Sequence, residues 1–293
     1  MHQINKNSLS YVLLFLLGLI WGSSFLFIKF TVISIEPITA VLLRMTVAAS
    51  CLFVYLKIQK IILPLEKKDI TNYFAIAILG NVLPFILVTW AEVSINTNVT
   101  GIIMGLMPII TVFLAYFFVK EEKINVYTFI GILLGFGGLF FLLEIVKNGN
   151  NNFFFQGAVI LAAISFATAT IYTRKIPNFQ PIYILTGSTY FAFLMLIPLA
   201  FIFEDPLNTS ATSQSIIFGI VLGILNTAIG GLIFFKLIKL TGAAFTSTVN
   251  FIVPFIAIIW GYVFLSESLN TNQLVGFLFI LTGIYLVKKS INS

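Results

Sequence analysis

Long apolar stretches, separated by short polar ones, make up most of the chain. Runs of about 18 or more residues without a charge are typical of helices that cross a membrane. Nine such runs occur, and a tenth, Pro37–Leu56, is interrupted only by Arg44. The pattern predicts an all-α polytopic membrane protein with ten transmembrane helices. We expect these spans at Tyr11–Phe30, Pro37–Leu56, Asn72–Trp90, Asn98–Val119, Val126–Leu143, Phe154–Tyr172, Pro181–Phe203, Ser215–Phe235, Ala243–Leu265 and Gln273–Val287.

One part of the chain recurs 145 positions later. A glutamate, an asparagine and two glycines carry the repeat: Glu122 and Glu267, Asn125 and Asn270, Gly131 and Gly276, Gly138 and Gly283. The same offset relates Asn81 to Asn226. Because a fixed long period indicates internal duplication, we divide the chain into two halves, residues 1–146 and 147–293.

The basic residues lie mainly on one side of the predicted membrane. With ten spans, 13 of the 16 Lys and Arg residues fall on the side of the N-terminus, and such residues are enriched on the cytoplasmic side. We therefore expect a multi-pass protein of a bacterial inner membrane with both termini in the cytoplasm. Each half has five spans, so the second half enters the membrane from the opposite side. Inverted repeats of this kind are typical of secondary transporters, whose substrate sites lie near the midplane.

The composition excludes several classes of function. The chain is 59% hydrophobic and 9% charged, whereas soluble domains carry about 25% charged residues. One cysteine, Cys51, and one histidine, His2, cannot form a zinc or iron site of the usual kind. The motifs of hydrolases and nucleotide-binding enzymes are absent from the sequence. We therefore expect a protein that is not an enzyme and has no cofactor or metal. Its expected partners are a small-molecule substrate and the lipid bilayer, with no nucleic acid. We expect it to be a monomer or a homodimer.

Polar residues are concentrated near the middle of several spans. A helix rises about 1.5 Å per residue, so the tenth residue of a 20-residue span lies near the midplane. Asn81 and Asn226 at this depth either bond neighbouring helices or contact the substrate. Trp21 lies too deep for an interfacial belt, so we expect it to line a cavity. The residues predicted to bind substrate are Trp21, Ser24, Asn81, Met104, Ser165, Asn226 and Asn250.

Two prolines and one arginine also lie inside predicted spans. Pro108 and Pro254 kink their helices by removing a backbone hydrogen bond, and the kinks are either static or hinges for gating. Arg44 is an intramembrane charge and thus a candidate functional residue. Alternatively, its side chain reaches the outer interface or pairs with Glu36 or Glu92.

We expect the cavity itself to contain no Lys, Arg or His. Such a cavity favours neutral or zwitterionic substrates with an apolar portion, because nothing offsets the desolvation of a phosphate. The carboxylate of a zwitterion could then bind a backbone N–H group at a broken helix.

The order and spacing of several motifs resemble the drug/metabolite transporter superfamily, in particular its EamA-type members. The segment Trp21–Phe25 (WGSSF), followed by Lys29, resembles their first-span motif, and Pro37–Arg44 resembles their second-span pattern. Pro108–Gly138 and Pro254–Gly283 resemble the paired EamA domains. The resemblance implies ten helices in two inverted five-helix repeats around a central cavity. It also implies transport of amino acids, other metabolites or drugs by alternating access, often outward.

Two other functions stay open at this point. A facilitative channel would need a continuous polar stripe along a pore, which the predicted spans lack. A membrane enzyme would turn over its substrate without a gradient. A secondary transporter is therefore the first expectation, a channel the second and an enzyme the third.

Overall fold

The computed structural model describes residues 6–118, 126–142, 152–177, 180–246 and 249–291, and every element within them is helical. Seven helices among these residues are long and apolar enough to cross a membrane. Three shorter apolar helices, Phe129–Gly138, Ile252–Leu265 and Thr271–Leu286, lie where the fifth, ninth and tenth spans are predicted. The all-helical membrane architecture is thus confirmed, and the ten-span arrangement stays a prediction. The boundary at residue 146, Glu122 and Asn125 lie outside the described residues.

The helices are numbered in chain order, with two π-helical segments between them. The first group comprises α1 (Lys6–Thr31), α2 (Pro37–Gln59), α3 (Lys67–Ala77), π1 (Ile78–Val82), α4 (Leu83–Glu92), α5 (Thr97–Met104), α6 (Met107–Phe118) and α7 (Val126–Leu142). The second comprises α8 (Asn152–Arg174), α9 (Pro181–Phe203), α10 (Ser213–Val221), π2 (Leu222–Ile229), α11 (Gly230–Thr246), α12 (Val249–Leu265) and α13 (Thr271–Ile291).

The segments π1 and π2 occupy corresponding places in the two halves of the sequence. Shifted by 145 positions, the residues of π1 fall inside π2, and each segment contains one of the two predicted asparagines, Asn81 or Asn226. Pro84, in the first turn of α4, cannot donate to the carbonyl four residues earlier, which favours a wider backbone register at π1. π turns occur frequently at functional sites, so the two segments are candidates for such a site.

Close glycine contacts join α7 to α13. A Cβ atom on Gly138 would lie 2.6 Å from the carbonyl oxygen of Gly276, and one on Gly283 would lie 2.6 Å from the carbonyl oxygen of Gly131. Because the lower-numbered residue of α7 meets the higher-numbered residue of α13, the two helices run antiparallel. Small residues allow helices in a membrane to approach closely, and these four are the glycines of the predicted repeat.

Several connections meet at one end of the helices. The Oγ atom of Ser34, between α1 and α2, lies 3.2 Å from Oγ1 of Thr212, just before α10. The backbone N–H of Thr97, at the start of α5, donates to Glu267, which follows α12 (2.8 Å). Lys29, near the end of α1, donates to backbone carbonyls at the end of α4 and in the connection that follows it. These are connections predicted to face the outside, so their common location agrees with the predicted order of spans.

One predicted loop, after the eighth span, is wrong. The eighth span was expected to end at Phe235, with Lys236 and Lys239 in a loop on the inner side. Helix α11 instead continues through both lysines to Thr246. Lysine is a good helix former and no proline interrupts this stretch, so the helix extends beyond the apolar run.

Candidate functional site

Trp21 and Asn226, both predicted to bind substrate, contact each other. Nε1 of Trp21 donates to the backbone carbonyl of Asn226 (3.2 Å), and Nδ2 of Asn226 donates to the carbonyl of Ile20. The Trp21 ring also packs on Phe234, with 5.1 Å between ring centroids. Gly230 leaves the space for the indole, since a Cβ there would lie 2.7 Å from Nε1. The side-chain amide nitrogen of Asn226 is thus committed to packing α1 against π2.

A corresponding contact joins α8 to π1, but different atoms make it. Oγ of Ser165, which stands 145 positions after Ile20, donates to the carbonyl of Leu79 (2.7 Å). The side chain of Asn81, which corresponds to Asn226, forms no hydrogen bond with another described residue and is partly exposed. The repeat is therefore asymmetric, because one asparagine packs helices and the other has a free amide.

The remaining predicted binding residues have different surroundings. Oγ of Ser24 donates to the carbonyl of Trp21 within α1 (2.6 Å), so this hydroxyl is used locally. Met104, the last residue of α5, packs against three of the apolar core clusters. Asn250 lies in the first turn of α12, is partly buried and forms no hydrogen bond with another described residue.

The two prolines are not structurally equivalent. Pro108 lies in the first turn of α6, just after the break between α5 and α6, where a missing N–H group leaves no helical bond unmade. Pro254 lies inside α12, which is continuous from Val249 to Leu265. The regions of the two prolines are in contact, because a Cβ atom on Gly105, three residues before Pro108, would lie 3.1 Å from Cγ of Pro254.

Arg44 is buried and has no acidic partner among the described residues. Its exposed fraction is 6%. Nε donates to Oγ1 of Thr227 (2.8 Å), and Cζ lies 3.9 Å from the centroid of the Phe85 ring. The Nη atoms form no hydrogen bond within the described part of the chain. The alternatives in which the side chain reaches the interface, or pairs with Glu36 or Glu92, are therefore wrong.

The position of Arg44 puts a cation next to both π-helical segments. Thr227 belongs to π2, and Phe85 lies in the first turn after π1. The expectation that the cavity itself contains no Lys, Arg or His stays a prediction, but a guanidinium does lie beside both π segments. An unpaired buried charge costs several kcal/mol, whereas a guanidinium binds a carboxylate through two parallel hydrogen bonds. The free Nη atoms of Arg44 can make that contact.

Sequence reasoning missed a second buried polar group, at the end of the helices described above. Glu92 and Thr97 are fully buried there, and Asn98 is 1% exposed. Both carboxylate oxygens of Glu267 accept backbone hydrogen bonds from Thr97 (2.8 Å) and Asn98 (2.9 Å) at the start of α5. The available signal was that Glu92 and Lys29 each end an apolar span.

Comparison with known proteins identifies the relatives of this fold and sequence. A model of the EamA-like transporter family matches residues 8–144 and again residues 156–288. An uncharacterized transporter of Bacillus subtilis (strain 168), YoaV, is 26% identical over 271 residues, covering 92% of each chain. An uncharacterized transporter of Archaeoglobus fulgidus is 25% identical over 279 residues, covering 94% of this chain and 98% of its own. A solved crystal structure is similar to this chain with a TM-score of 0.70 and 13% sequence identity, over 98% of this chain and 99% of that one. At this level of identity, the similarity concerns the fold and not the function.

Proposed function

Because the chain belongs to the EamA-like transporter family, we propose that it is a secondary transporter of small zwitterionic metabolites, amino acids or related compounds with an apolar portion. The substrate binds between π1 and π2, and the two halves give access to it from alternate sides of the membrane. The relatives above are named transporters, which supports transport rather than catalysis.

The observation that carries the proposal is the buried guanidinium of Arg44 without a carboxylate partner in the described residues. A substrate carboxylate on its Nη atoms would neutralise the charge. Hydrogen bonds to charged groups contribute about 1.5–3 kcal/mol, which corresponds to about 10- to 150-fold in affinity. This carboxylate contact replaces the backbone N–H contact expected from the sequence.

Other groups in this region suit the remaining parts of a zwitterion. The free amide of Asn81 in π1 offers both a donor and an acceptor. Phe85 and the partly buried Trp21 provide aromatic surface for an apolar side chain. Asn226 acts in this proposal as a packing residue.

The proposal includes two inverted five-helix repeats, residues 1–146 and 147–293, in an inner membrane with both termini cytoplasmic. The positions of π1 and π2 support this division, and so does the reciprocal contact of Gly138 with Gly276 and Gly283 with Gly131. Exchange of the two repeat conformations would open the site alternately to each side.

The test is uptake into liposomes that contain the purified protein. The substrates are pairs of compounds, each an amino acid and the corresponding amine without its carboxylate. We expect Arg44→Gln to lower uptake of the amino acids by about 10- to 150-fold and to leave the amines unaffected. Arg44→Lys should retain part of the preference for amino acids over the corresponding amines. Lysine keeps the positive charge but cannot make the two parallel hydrogen bonds of a guanidinium to a carboxylate.

The control is Lys57→Gln, which removes a cation at the end of α2, remote from both π segments. It should leave the preference for carboxylated substrates unchanged. An Arg44→Gln protein that still prefers amino acids over their amines would contradict the proposed role of Arg44. A wild-type protein that moves neither class would contradict the substrate class.

A further inference from the structure

A polar cluster lies at one end of the helices, and we name it the end cluster: Lys29, Glu92, Thr97, Asn98 and Glu267. All of these residues are buried except Lys29, which is partly exposed. Its members come from α1, α4, the start of α5 and the segment after α12. The Nζ atom of Lys29 donates to the backbone carbonyl of Glu92 (2.6 Å) and to the next connection (3.0 Å). The cluster therefore holds together parts of both halves of the sequence.

The backbone before Glu267 is shaped to deliver this side chain. Ser266 has a φ of 53°, a left-handed conformation that is uncommon for a residue other than glycine. Gly261 leaves room for the carboxylate, since a Cβ there would lie 2.6 Å from its Oε2 atom. Both oxygens of Glu267 then accept the backbone N–H groups of α5.

Glu92 differs from the other glutamates at this end. It is fully buried, and Oε2 accepts from Oγ1 of Thr97 (3.1 Å), but Oε1 has no donor. The hydroxyl of Thr100 donates its one hydrogen to the carbonyl of Asn96 (3.2 Å) and not to Oε1. Oδ1 of Asn98 is a second buried acceptor without a donor. By contrast, Glu204 has hydrogen bonds to both carboxylate oxygens at the start of α2.

The charges of the end cluster do not balance when both carboxyl groups are ionised. Lys29 contributes one positive charge, and Glu92 and Glu267 contribute two negative ones. Lys29 attracts the Glu92 carboxylate, and Glu267 repels it. A proton on Oε1 of Glu92 would remove the excess charge and convert an acceptor without a partner into a donor.

We infer that Glu92 is a proton-binding site whose occupancy controls closure of this end of the protein. With the proton bound, the cluster is neutral and α1, α4, α5 and the segment after α12 stay together. When the carboxylic acid releases its proton to water, the carboxylate repels Glu267 and must be hydrated, so these segments separate. This inference goes beyond the proposed function and does not depend on Arg44 or on the substrate.

The test measures how fast a buried cysteine reacts with a membrane-impermeant maleimide. Cys51 is first replaced by Ala. Val99→Cys then places a thiol on α5 directly after Asn98 of the cluster, at a position that is 4% exposed, and Ser94→Cys supplies an exposed reference in the α4–α5 connection. Because the two thiols ionise over different pH ranges, each rate is divided by the thiolate fraction of that cysteine, and the ratio of the corrected rates reports access to residue 99. We expect the ratio to rise about tenfold from acidic to alkaline pH, within the usual range of coupling between sites.

Variants of the glutamates decide whether Glu92 is responsible. Glu92→Gln mimics the protonated form, so the ratio should stay low at every pH. Glu92→Asp keeps a carboxyl group and should retain the pH dependence. This variant also tests the inference if Glu92→Gln does not fold. Glu204→Gln is the matched control, a glutamate at the same end with both oxygens hydrogen-bonded, and should behave like wild type.

Three results would overturn the inference. The first is a wild-type ratio that does not change with pH. The second is a Glu92→Gln protein with the same pH dependence as wild type. The third is a ratio that changes when choline replaces sodium at fixed pH and does not change with the proton concentration. A failure here would leave the substrate proposal intact, because no substrate is present.

Discussion

Replacing Gly283 by Ala would test the close backbone contact between α7 and α13. A Cβ at this position would lie 2.6 Å from the carbonyl oxygen of Gly131 and 3.0 Å from the backbone nitrogen of Gly135. These atoms belong to the helix backbone and cannot rotate away as the end of a flexible side chain can. The helices must therefore move apart by about 0.8 Å at this point to reach an ordinary contact of 3.4 Å.

The cost follows from the packing that this separation loses. A gap of about 0.5–1 Å removes about a quarter to a half of the van der Waals attraction between the atoms that line it. Overpacking of a close-packed region costs about 1–3 kcal/mol, and helices in membranes depend strongly on such packing. Since both close contacts are to backbone atoms, we expect a cost in the upper part of this range, about 2–3 kcal/mol. Alanine is a better helix former than glycine by up to about 1 kcal/mol, so the expected net loss of stability is about 1–2 kcal/mol.

The measurement is the apparent melting temperature of the purified protein in detergent. A loss of about 1–2 kcal/mol should lower it by about 2–8 °C for a chain of this size. Gly138→Ala should act similarly, because its Cβ would meet the Gly276 carbonyl at the same 2.6 Å. Gly157→Ala in α8 is the control, since its Cβ would have no heavy atom within 4 Å. Equal stability of Gly283→Ala and Gly157→Ala would refute the reasoning.

Two further predictions compare corresponding residues of the two halves. Asn81→Ala should weaken the binding of amino acids by about 1–3 kcal/mol and leave the melting temperature unchanged. Asn226→Ala, by contrast, should lower the melting temperature. The reverse pattern would contradict these assignments. Pro254→Ala restores a backbone hydrogen bond inside α12. We expect it to change the ratio of the maleimide reaction rates of Val99→Cys and Ser94→Cys about tenfold. Pro108→Ala, in the first turn of α6, should leave this ratio unchanged. If the two variants change the ratio equally, the hypothesis that only Pro254 is a hinge is wrong.

The sequence was sufficient for the helical architecture because the length of an apolar run decides whether a helix can cross a membrane. It could not predict π1 and π2, because a π turn has the same side-chain composition as the α-helix around it. The difference lies in which backbone carbonyl each N–H group bonds. The extension of α11 through Lys236 escaped the same reasoning, since hydropathy predicts the membrane-buried part of a helix and not where the helix ends.

The depth of residues in their spans indicated which polar residues to expect near one another, but not the role of each residue. Trp21 and Asn226 do lie together, yet depth says nothing about hydrogen-bond partners in another helix. The error on Arg44 has the same origin, because its distance from the helix end suggested that it could reach the interface. A Cβ on Gly223 would lie 2.8 Å from the Arg44 carbonyl, so π2 packs tightly on α2 and brings Thr227 beside the guanidinium.

The asymmetry between the two π segments bears on how the halves could exchange conformations. Two hydrogen bonds fasten π2 to α1, and the Trp21 ring of α1 also packs on Phe234 of α11, which follows π2. One hydrogen bond, from Ser165, fastens π1 to α8, and the rings of Phe85 and Phe166 meet there edge to face at 5.6 Å. Since a hydrogen bond between membrane helices contributes about 0.6 kcal/mol, the two contacts differ by roughly 1 kcal/mol or less. A difference of that size would favour one conformation by at most about fivefold, which would leave both conformations populated, as the proposed alternating access requires.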